Sequence, residues 1–527
     1  MSVREPFRRL REIALAAMVV VFQLSSAAGL DLGERQTQVW VTQEWSFSGV
    51  ETEGNPFDLE AKVKFEHKGT GAIHITPMFY DGDGKWLYRF TPTFRGHWRF
   101  RIRSDHPMLN GHTGGIKVGK NAIHRPRGFL THVGSRIAEM NQDARDLDGY
   151  EFNVFMDQEA FSPRIDAFGN DPESAVETAM AYLDHAKANG FEIIFISVYH
   201  NWFDFGSLRH SDHESVDPDL ETFRVLEALI QAVYQAKGRV HIWAWGDESR
   251  KQTPVGLPGG VNGEVDRRLQ RYIAARLGPL PGWTIGYGFD LHEWTNEAEV
   301  NAWADSLNTW SGWPHLLAAR GLVLEGDHTF RSYGSFGRED GVETSNGGPT
   351  DFAELRGMMV SDRGRPHLLE ERHTFNRSGF DLDMDGTRRL LWRKSMAGGV
   401  GGFFGFYGAS SPAFRGRPYP DVEQIKTHYT FWHKAASMLD SVVDTTLIEA
   451  KVAPGFGLRN RERSKHILYY EDERQLYVDL KKMKAPSRAI VIDTKLPYEP
   501  YKVVEWRPGL HVFSAPYESD WAIAVGF

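Results

Sequence analysis

Two acidic positions, each finishing a short apolar run, are the residues of this 527-residue chain whose types and spacing invite chemistry. The first run, Gly282-Trp-Thr-Ile-Gly-Tyr-Gly-Phe-Asp-Leu-His-Glu-Trp294, ends on Asp290, His292 and Glu293. The second, Arg365-Pro-His-Leu-Leu-Glu-Glu-Arg372, ends on Glu370 and Glu371. Two carboxyl groups held at strand ends are what cleavage of a glycosidic bond requires. One, kept protonated, donates to the leaving oxygen, and the other, ionised, attacks the sugar carbon or activates water. Glu293 is read as the acid/base because it stands two residues past its apolar run. Asp290 is the nearer alternative, and the competing reading makes Glu293 a solvated acid at a helix start, stabilised by the helix dipole. On a regular strand only one of Glu370 and Glu371 can face a pocket. Glu371 is chosen, leaving Glu370 to pair with Arg372 or another cation.

The elements that must position these acids alternate in type. Apolar runs at 152–155, 191–199, 239–245, 284–291, 315–320, 329–333, 366–370 and 398–407 read as strands. Helical patterns fill 171–190, 220–236, 265–277, 297–310, 351–360 and 388–396, and 422–439 forms a closing helix. Eight strand–helix repeats within about 290 residues imply a (β/α)8 TIM barrel, whose chemistry sits at the C-terminal ends of its strands. Polar and aromatic residues at those ends therefore carry functional weight. His200, Asn201, Trp245, Asp247, Asp290, His292, Arg320, Tyr333 and Glu370 are the expected substrate-binding set, the aromatics stacking on sugar rings and the others binding hydroxyls.

The flanks are of another kind. From 36 to 118 apolar and polar residues alternate between turn signals, implying an N-terminal β-sandwich over 30–120. Residues 119–150 are a mixed connector. The barrel is assigned to 121–441, and β alternation returns from 448, giving a small C-terminal β-sandwich over 442–527. The fold class is thus multidomain: β-sandwich, central barrel, β-sandwich.

Composition excludes several functions. The formal charge is −9 with no block of Lys and Arg, which argues against nucleic acid as a partner. There is no Cys, hence no disulfide, thiolate metal site, Cys nucleophile or lipoprotein anchor. A basic start, the apolar stretch Ile13-Ala-Leu-Ala-Ala-Met-Val-Val-Val-Phe22 and a small-residue tail make residues 1–29 a signal peptide. No other stretch suits a membrane, so the mature protein is expected to be exported and free. The 21 His form no HExxH pair, and neither a cofactor nor a catalytic metal is expected. Asp381-Leu-Asp-Met-Asp-Gly386 imitates a calcium loop, but Trp392 stands where its bidentate Glu belongs. Asp385 as a helix cap is the main reading and calcium the minority one.

Short motifs along the chain carry a resemblance: Asn55-Pro-Phe57, Phe79-Tyr-Asp-Gly82, Phe90, Gly96-His-Trp98, Gly286-Tyr-Gly-Phe-Asp-Leu-His-Glu-Trp294, Pro366-His-Leu-Leu-Glu-Glu371, Gly401-Gly-Phe-Phe-Gly405 and Asp520-Trp521. With the three-domain order, the chain resembles the apiosidase-like family of glycoside hydrolases, in the variant with an N-terminal immunoglobulin-like domain. The resemblance implies a retaining mechanism with the acid/base after strand four, at Glu293, and the nucleophile after strand seven, at Glu371. It departs at His292, where the wider clan has an Asn that binds the sugar 2-hydroxyl. A non-catalytic carbohydrate-binding protein is the alternative. A polysaccharide lyase using Tyr199, His200 and Arg320 is a third reading.

Overall fold

The structure is a computed structural model of the chain, and it describes residues 29–123, 127–133, 136–141, 147–150, 154–156, 163–203, 216–320, 334–335, 352–353, 356–357, 366–368, 373–374, 384–398, 402–405, 421–435, 448–451 and 455–526. Alternation shapes the first part. In Ala61–His67 the side chains of Ala61, Val63, Phe65 and His67 are buried and those between them are not. This strand joins Asp31–Gln38, Thr113–Gly119, Gly96–Ser104 and Ile73–Pro77 in a five-stranded sheet, while Gln43–Phe47, Trp86–Phe90 and Phe79–Tyr80 form a second. The two sheets share an aromatic core: Phe65 stacks on Phe90 at 4.1 Å and Trp45 meets Phe100 at 5.4 Å. Residues 73–80 are divided between the two sheets. The Met78 N–H still bonds the Ala61 carbonyl of the first sheet at 2.7 Å, and the chain joins the second sheet only at Phe79. The connector is also structured, with Leu130–Val133, Arg136–Met140 and Leu147–Tyr150 forming an antiparallel sheet.

The central region alternates strands and helices. In chain order these are β1 (Val154–Met156), α1 (Pro172–Ala188), β2 (Ile193–Ser197), α2 (Leu220–Gln235), β3 (Arg239–Trp243), α3 (Glu264–Leu277), β4 (Trp283–Gly286), α4 (Glu297–Ser311) and β5 (Leu317–Arg320). Then come β6 (Gly334–Ser335), β7 (His367–Leu368), β8 (His373–Thr374), α5 (Met384–Ala397), β9 (Gly402–Gly405) and α6 (Val422–Thr430). Local chemistry starts the helices. The Asp171 side chain accepts the N–H groups of Glu173 and Ser174 ahead of Pro172, and Asn296 and Glu299 form a capping box for α4. β2, β3 and β4 are buried along their whole length, as continuous apolar runs in a covered parallel sheet should be.

Every neighbouring pair in the spatial order β7-β6-β5-β4-β3-β2-β1-β9-β8 is parallel. The last strand comes back to the first, with Val154 opposite Gly402. Among the described residues the sheet runs open from β7 to β8, which residues 369–372 join in sequence. The sixth strand was expected at 329–333, which lies outside the described residues. Its place between β5 and β7 is held by Gly334–Ser335. α5 begins at Met384, so Asp385 sits inside the first turn, where it pairs with Arg388, and is not the cap expected of it.

The expected C-terminal sandwich is, among the described residues, one six-stranded antiparallel sheet. Its long antiparallel pair, His466–Asp479 with Leu510–Val525, shifts register around Glu473, and Leu468, Tyr470, Leu476 and Val478 from both sides of the shift share one apolar cluster. The other face of the sheet packs Tyr469 against Trp392 of α5 at 5.0 Å. Asp520, fully buried, accepts from Arg388 at 2.6 Å and from Arg389 at 2.8 and 2.9 Å.

The first part is equally locked to the centre. Phe79 and Leu87 belong to the apolar core beneath α2 and α3. Beside them Glu227 of α2 binds Arg89 of the second N-terminal sheet and Arg276 of α3. Burial pushes the Glu227 carboxyl up, but the two guanidiniums outweigh it and bring it down to about 2.

Candidate active site

Three loops at the C-terminal ends of β2, β3 and β4 come together. Past β2, the N–H groups of Val198 and Tyr199 bond the carbonyls of Trp243 and Ala244, and the Trp202 indole also donates to Ala244 at 2.9 Å. Past β3, Glu248–Arg250 makes a short turn closed by the Gln252 N–H on the Asp247 carbonyl at 3.0 Å. Past β4, Asp290 takes the left-handed conformation with φ 39°, which Asp tolerates better than most residues. That turn sends Leu291 into the core and leaves Glu293 exposed, its N–H on the Asp290 carbonyl at 2.9 Å.

Four carboxylates gather on the two adjacent loops. Asp247 pairs with Arg250 at 3.2 Å, and Glu248 with Lys251 at 2.7 Å and the Thr253 hydroxyl. Glu293 accepts the Ser249 N–H at 3.4 Å, which ties the β4 loop to the β3 loop. Among the described residues no cation pairs with Glu293, so it has a lone pair and a solvent path to offer a ligand. Beneath these loops lies an aromatic stack: Phe289 against Trp243 at 4.7 Å, Trp243 against His241 at 4.7 Å, and His241 against Phe195 at 4.8 Å. Burial lowers His241 to about 3, so the imidazole is neutral, with Nδ1 bonded to Thr284 Oγ1 at 2.7 Å.

The expected site residues are placed unequally. β4 stops at Gly286, where the sequence suggested a strand to 291, so Glu293 stands seven residues beyond the strand end. A Cβ at Gly286 would lie 2.1 Å from the Trp243 ring, and past it the chain turns. Tyr287 enters the helix layer, stacking on Trp303 at 4.5 Å, while Phe289 folds back over Trp243. Trp245 is 1% exposed and lies in the helix-layer core beside His200 and Phe203, where no sugar can reach its ring. His200, fully buried, donates from Nε2 to the Lys251 carbonyl at 2.6 Å and so pins the β3 loop. Asn201, also fully buried, accepts from Thr222 Oγ1 at its backbone carbonyl, 2.7 Å away.

Asp247 is 9% exposed at the loop rim, Asp290 is half-buried and His292 is exposed. The Arg320 backbone ends β5, and nothing is described of its side chain. Tyr333, Glu370 and Glu371 lie outside the described residues. Sequence reasoning passed over Trp243 and Phe289 as the aromatic floor and left Glu248, the second acid of the β3 loop, out of the expected set. The period-two count from His241 would have found Trp243.

Residues 36–105 match the family model described as Domain of unknown function (DUF5060). No curated protein sequence matches the chain. Among solved structures, the chain is similar to a protein of Bacteroides vulgatus ATCC 8482 provisionally named a glycoside hydrolase. The TM-score is 0.69 at 15% identity, over 93% of this chain and 99% of that one. It is also similar to a protein named as a glycoside hydrolase, with a TM-score of 0.51 at 13% identity over 76% of this chain and 96% of that one. A glycoside hydrolase family 5 structure from the same Bacteroides strain gives a TM-score of 0.51 at 11% identity, over 76% of this chain and 93% of that one. These likenesses establish a multidomain fold of the kind seen in glycoside hydrolases.

Proposed function

We propose that the chain is an exported glycoside hydrolase that cleaves O-glycosidic bonds of a plant or algal polysaccharide, or of oligosaccharides derived from it, by a retaining mechanism. The observation that carries the reading is the meeting of Asp247, Glu248, Asp290 and Glu293 on two tied loops at the C-terminal ends of adjacent parallel strands. The fold likeness over 93% of the chain supports the reaction class. In this reading the parallel strands form a (β/α)8 barrel, the N-terminal sheets are an immunoglobulin-like accessory domain, and residues 1–29 direct export.

Glu293 is the acid/base and Glu371 the nucleophile. Protonated Glu293 donates to the glycosidic oxygen while the Glu371 carboxylate attacks the anomeric carbon, breaking its bond to the leaving group and forming a glycosyl ester. Glu293, now ionised, takes a proton from water, whose oxygen displaces Glu371 and restores both groups. This requires the two carboxyls to stand about 5–5.5 Å apart. Asp247 and Asp290 at the rim bind substrate hydroxyls.

The test is reducing-end release from a panel of plant and algal polysaccharides by wild type, Glu293→Gln and Glu371→Gln. Loss of roughly 10²-fold or more in kcat is expected for Glu293→Gln, more for Glu371→Gln. Activity that survives Glu371→Gln would move the nucleophile elsewhere. Silence of the wild type on every polymer, with binding to one of them, would favour the carbohydrate-binding alternative.

A further inference from the structure

Away from the candidate active site lies a groove of about 740 Å3, between the N-terminal part of the chain and the outer sides of α3 and α4. Its α4 wall is a single helical stripe, Ala302, Asp305, Ser306, Thr309 and Trp310, at the three- and four-residue spacing that aligns side chains on one face. A helix that packs there would present apolar residues. This one presents a carboxylate, two hydroxyls and a half-buried indole.

The charges across the groove are of two kinds. Arg268 of α3 is committed to Asp58 at 2.7 Å and Asp217 at 3.3 Å, and Arg271 to Glu60 at 3.3 Å. These bonds hold the groove's two sides together. The side chains of Arg267 and Asp305, both exposed, have no ion pair or hydrogen bond among the described residues, nor do the hydroxyls of Ser306 and Thr309. Lys62 lies 4.2 Å over the Trp310 ring and does not itself line the groove, whereas Trp310 does.

We propose that this groove is a second, non-catalytic binding site for a neutral oligosaccharide. An indole face accepts the C–H face of a pyranose ring. A free guanidinium and a free carboxylate bind neighbouring hydroxyls as donor and acceptor, and two hydroxyls add reversible partners. Four carboxylates line the groove against three guanidiniums, which disfavours an anionic ligand. The volume suits a small ligand, and junctions between structural units are where such sites concentrate. The proposal does not depend on catalysis at the strand ends.

The test is native affinity electrophoresis of the full chain in gels containing xyloglucan, arabinoxylan, mixed-linkage β-glucan or galactan, with polygalacturonate as the anionic control. Wild type and Glu293→Gln should be retarded alike by at least one neutral polymer. Trp310→Ala should weaken that retention about tenfold. Because the Trp310 ring is half-buried, the double variant Arg267→Ala/Asp305→Ala, which alters only exposed groups, is run beside it and should lose retention while keeping the wild-type melting temperature. Failure of every neutral polymer to retard wild type overturns the proposal. So does retention unchanged in both groove variants, or retention by polygalacturonate alone.

Discussion

Asp266 of α3 is fully buried beneath the loop that follows β4, where its carboxylate accepts from the Asn262 N–H at 2.9 Å, Gln270 at 3.1 Å and Tyr287 at 3.2 Å. Burial raises it to about 6 from an ordinary 3.8, against those bonds. The sign follows from linkage: the native state binds the proton more tightly than the unfolded chain, so this group adds stability as pH falls from 6 towards 4 and costs it above 6. The difference between the two states is worth about 3 kcal/mol. Asp266→Asn should therefore be more stable than wild type at pH 8, by about 1–3 kcal/mol in urea denaturation, with the advantage gone near pH 4. A variant weaker than wild type at pH 8 would refute this. His241 and His428, lowered to about 3, and His74 and His315, lowered to about 4, act with the opposite sign. Burial keeps them neutral, so each loses stability as pH drops below 6.5. At this scale the sequence was only partly legible. Trp245 looked like a sugar platform because it ends an apolar run. Which of Trp243 and Trp245 faces the sheet interior depends on where β3 stops, and a sequence does not mark that residue.

Helix boundaries were readable because they are set locally. Asp171 before Pro172 and Asn296 before the Glu299 box are chemical start signals, and α1 to α4 begin within a residue or two of where the pattern placed them. Strand ends were not, since an apolar run continues past the last ladder bond whenever the next residues are buried for other reasons. Tyr287 and Phe289 extended the apparent fourth strand, yet one packs in the helix layer and the other over Trp243. Residues 73–80 likewise serve two sheets, the first through Met78 and the second from Phe79. What ends β4 is tested by Gly286→Ala, whose methyl would stand 2.1 Å from the Trp243 ring. The ring must shift, and a loss of roughly 1–3 kcal/mol is expected, with a change in near-ultraviolet circular dichroism from the displaced indole. An unchanged melting temperature and spectrum would show that the contact does not constrain the strand.

Across the molecule the N-terminal sheets and the central region share a core through Phe79 and Leu87 and an ion cluster through Arg89, Glu227 and Arg276. Glu227→Gln removes the carboxylate that two buried guanidiniums share, leaving Arg89 only Glu44 and Arg276 only Asp81, and a loss of about 3 kcal/mol is expected. Calorimetry should then resolve two transitions where wild type gives one, and a single transition in the variant would argue that the apolar contacts alone join the two parts. The depressed carboxyl makes the same junction acid-labile: its contribution is present above pH 4.5 and is lost as pH falls towards 2. The order of regions was legible because composition changes along the chain, whereas their joining was not, because Arg89, Glu227 and Arg276 meet only in the fold. A last consequence comes from the pairing of Val154 with Gly402. The strand that opens the central sheet waits for a partner nearly at the sheet's other end in sequence, so a product shortened before residue 402, by early termination or by a protease, retains β1 as a bare edge of unpaired amides and carbonyls. Such an edge templates addition of further chains. Fragments ending just short of β9 should therefore collect in the insoluble fraction, which gives the cell a physical means of removing incomplete copies.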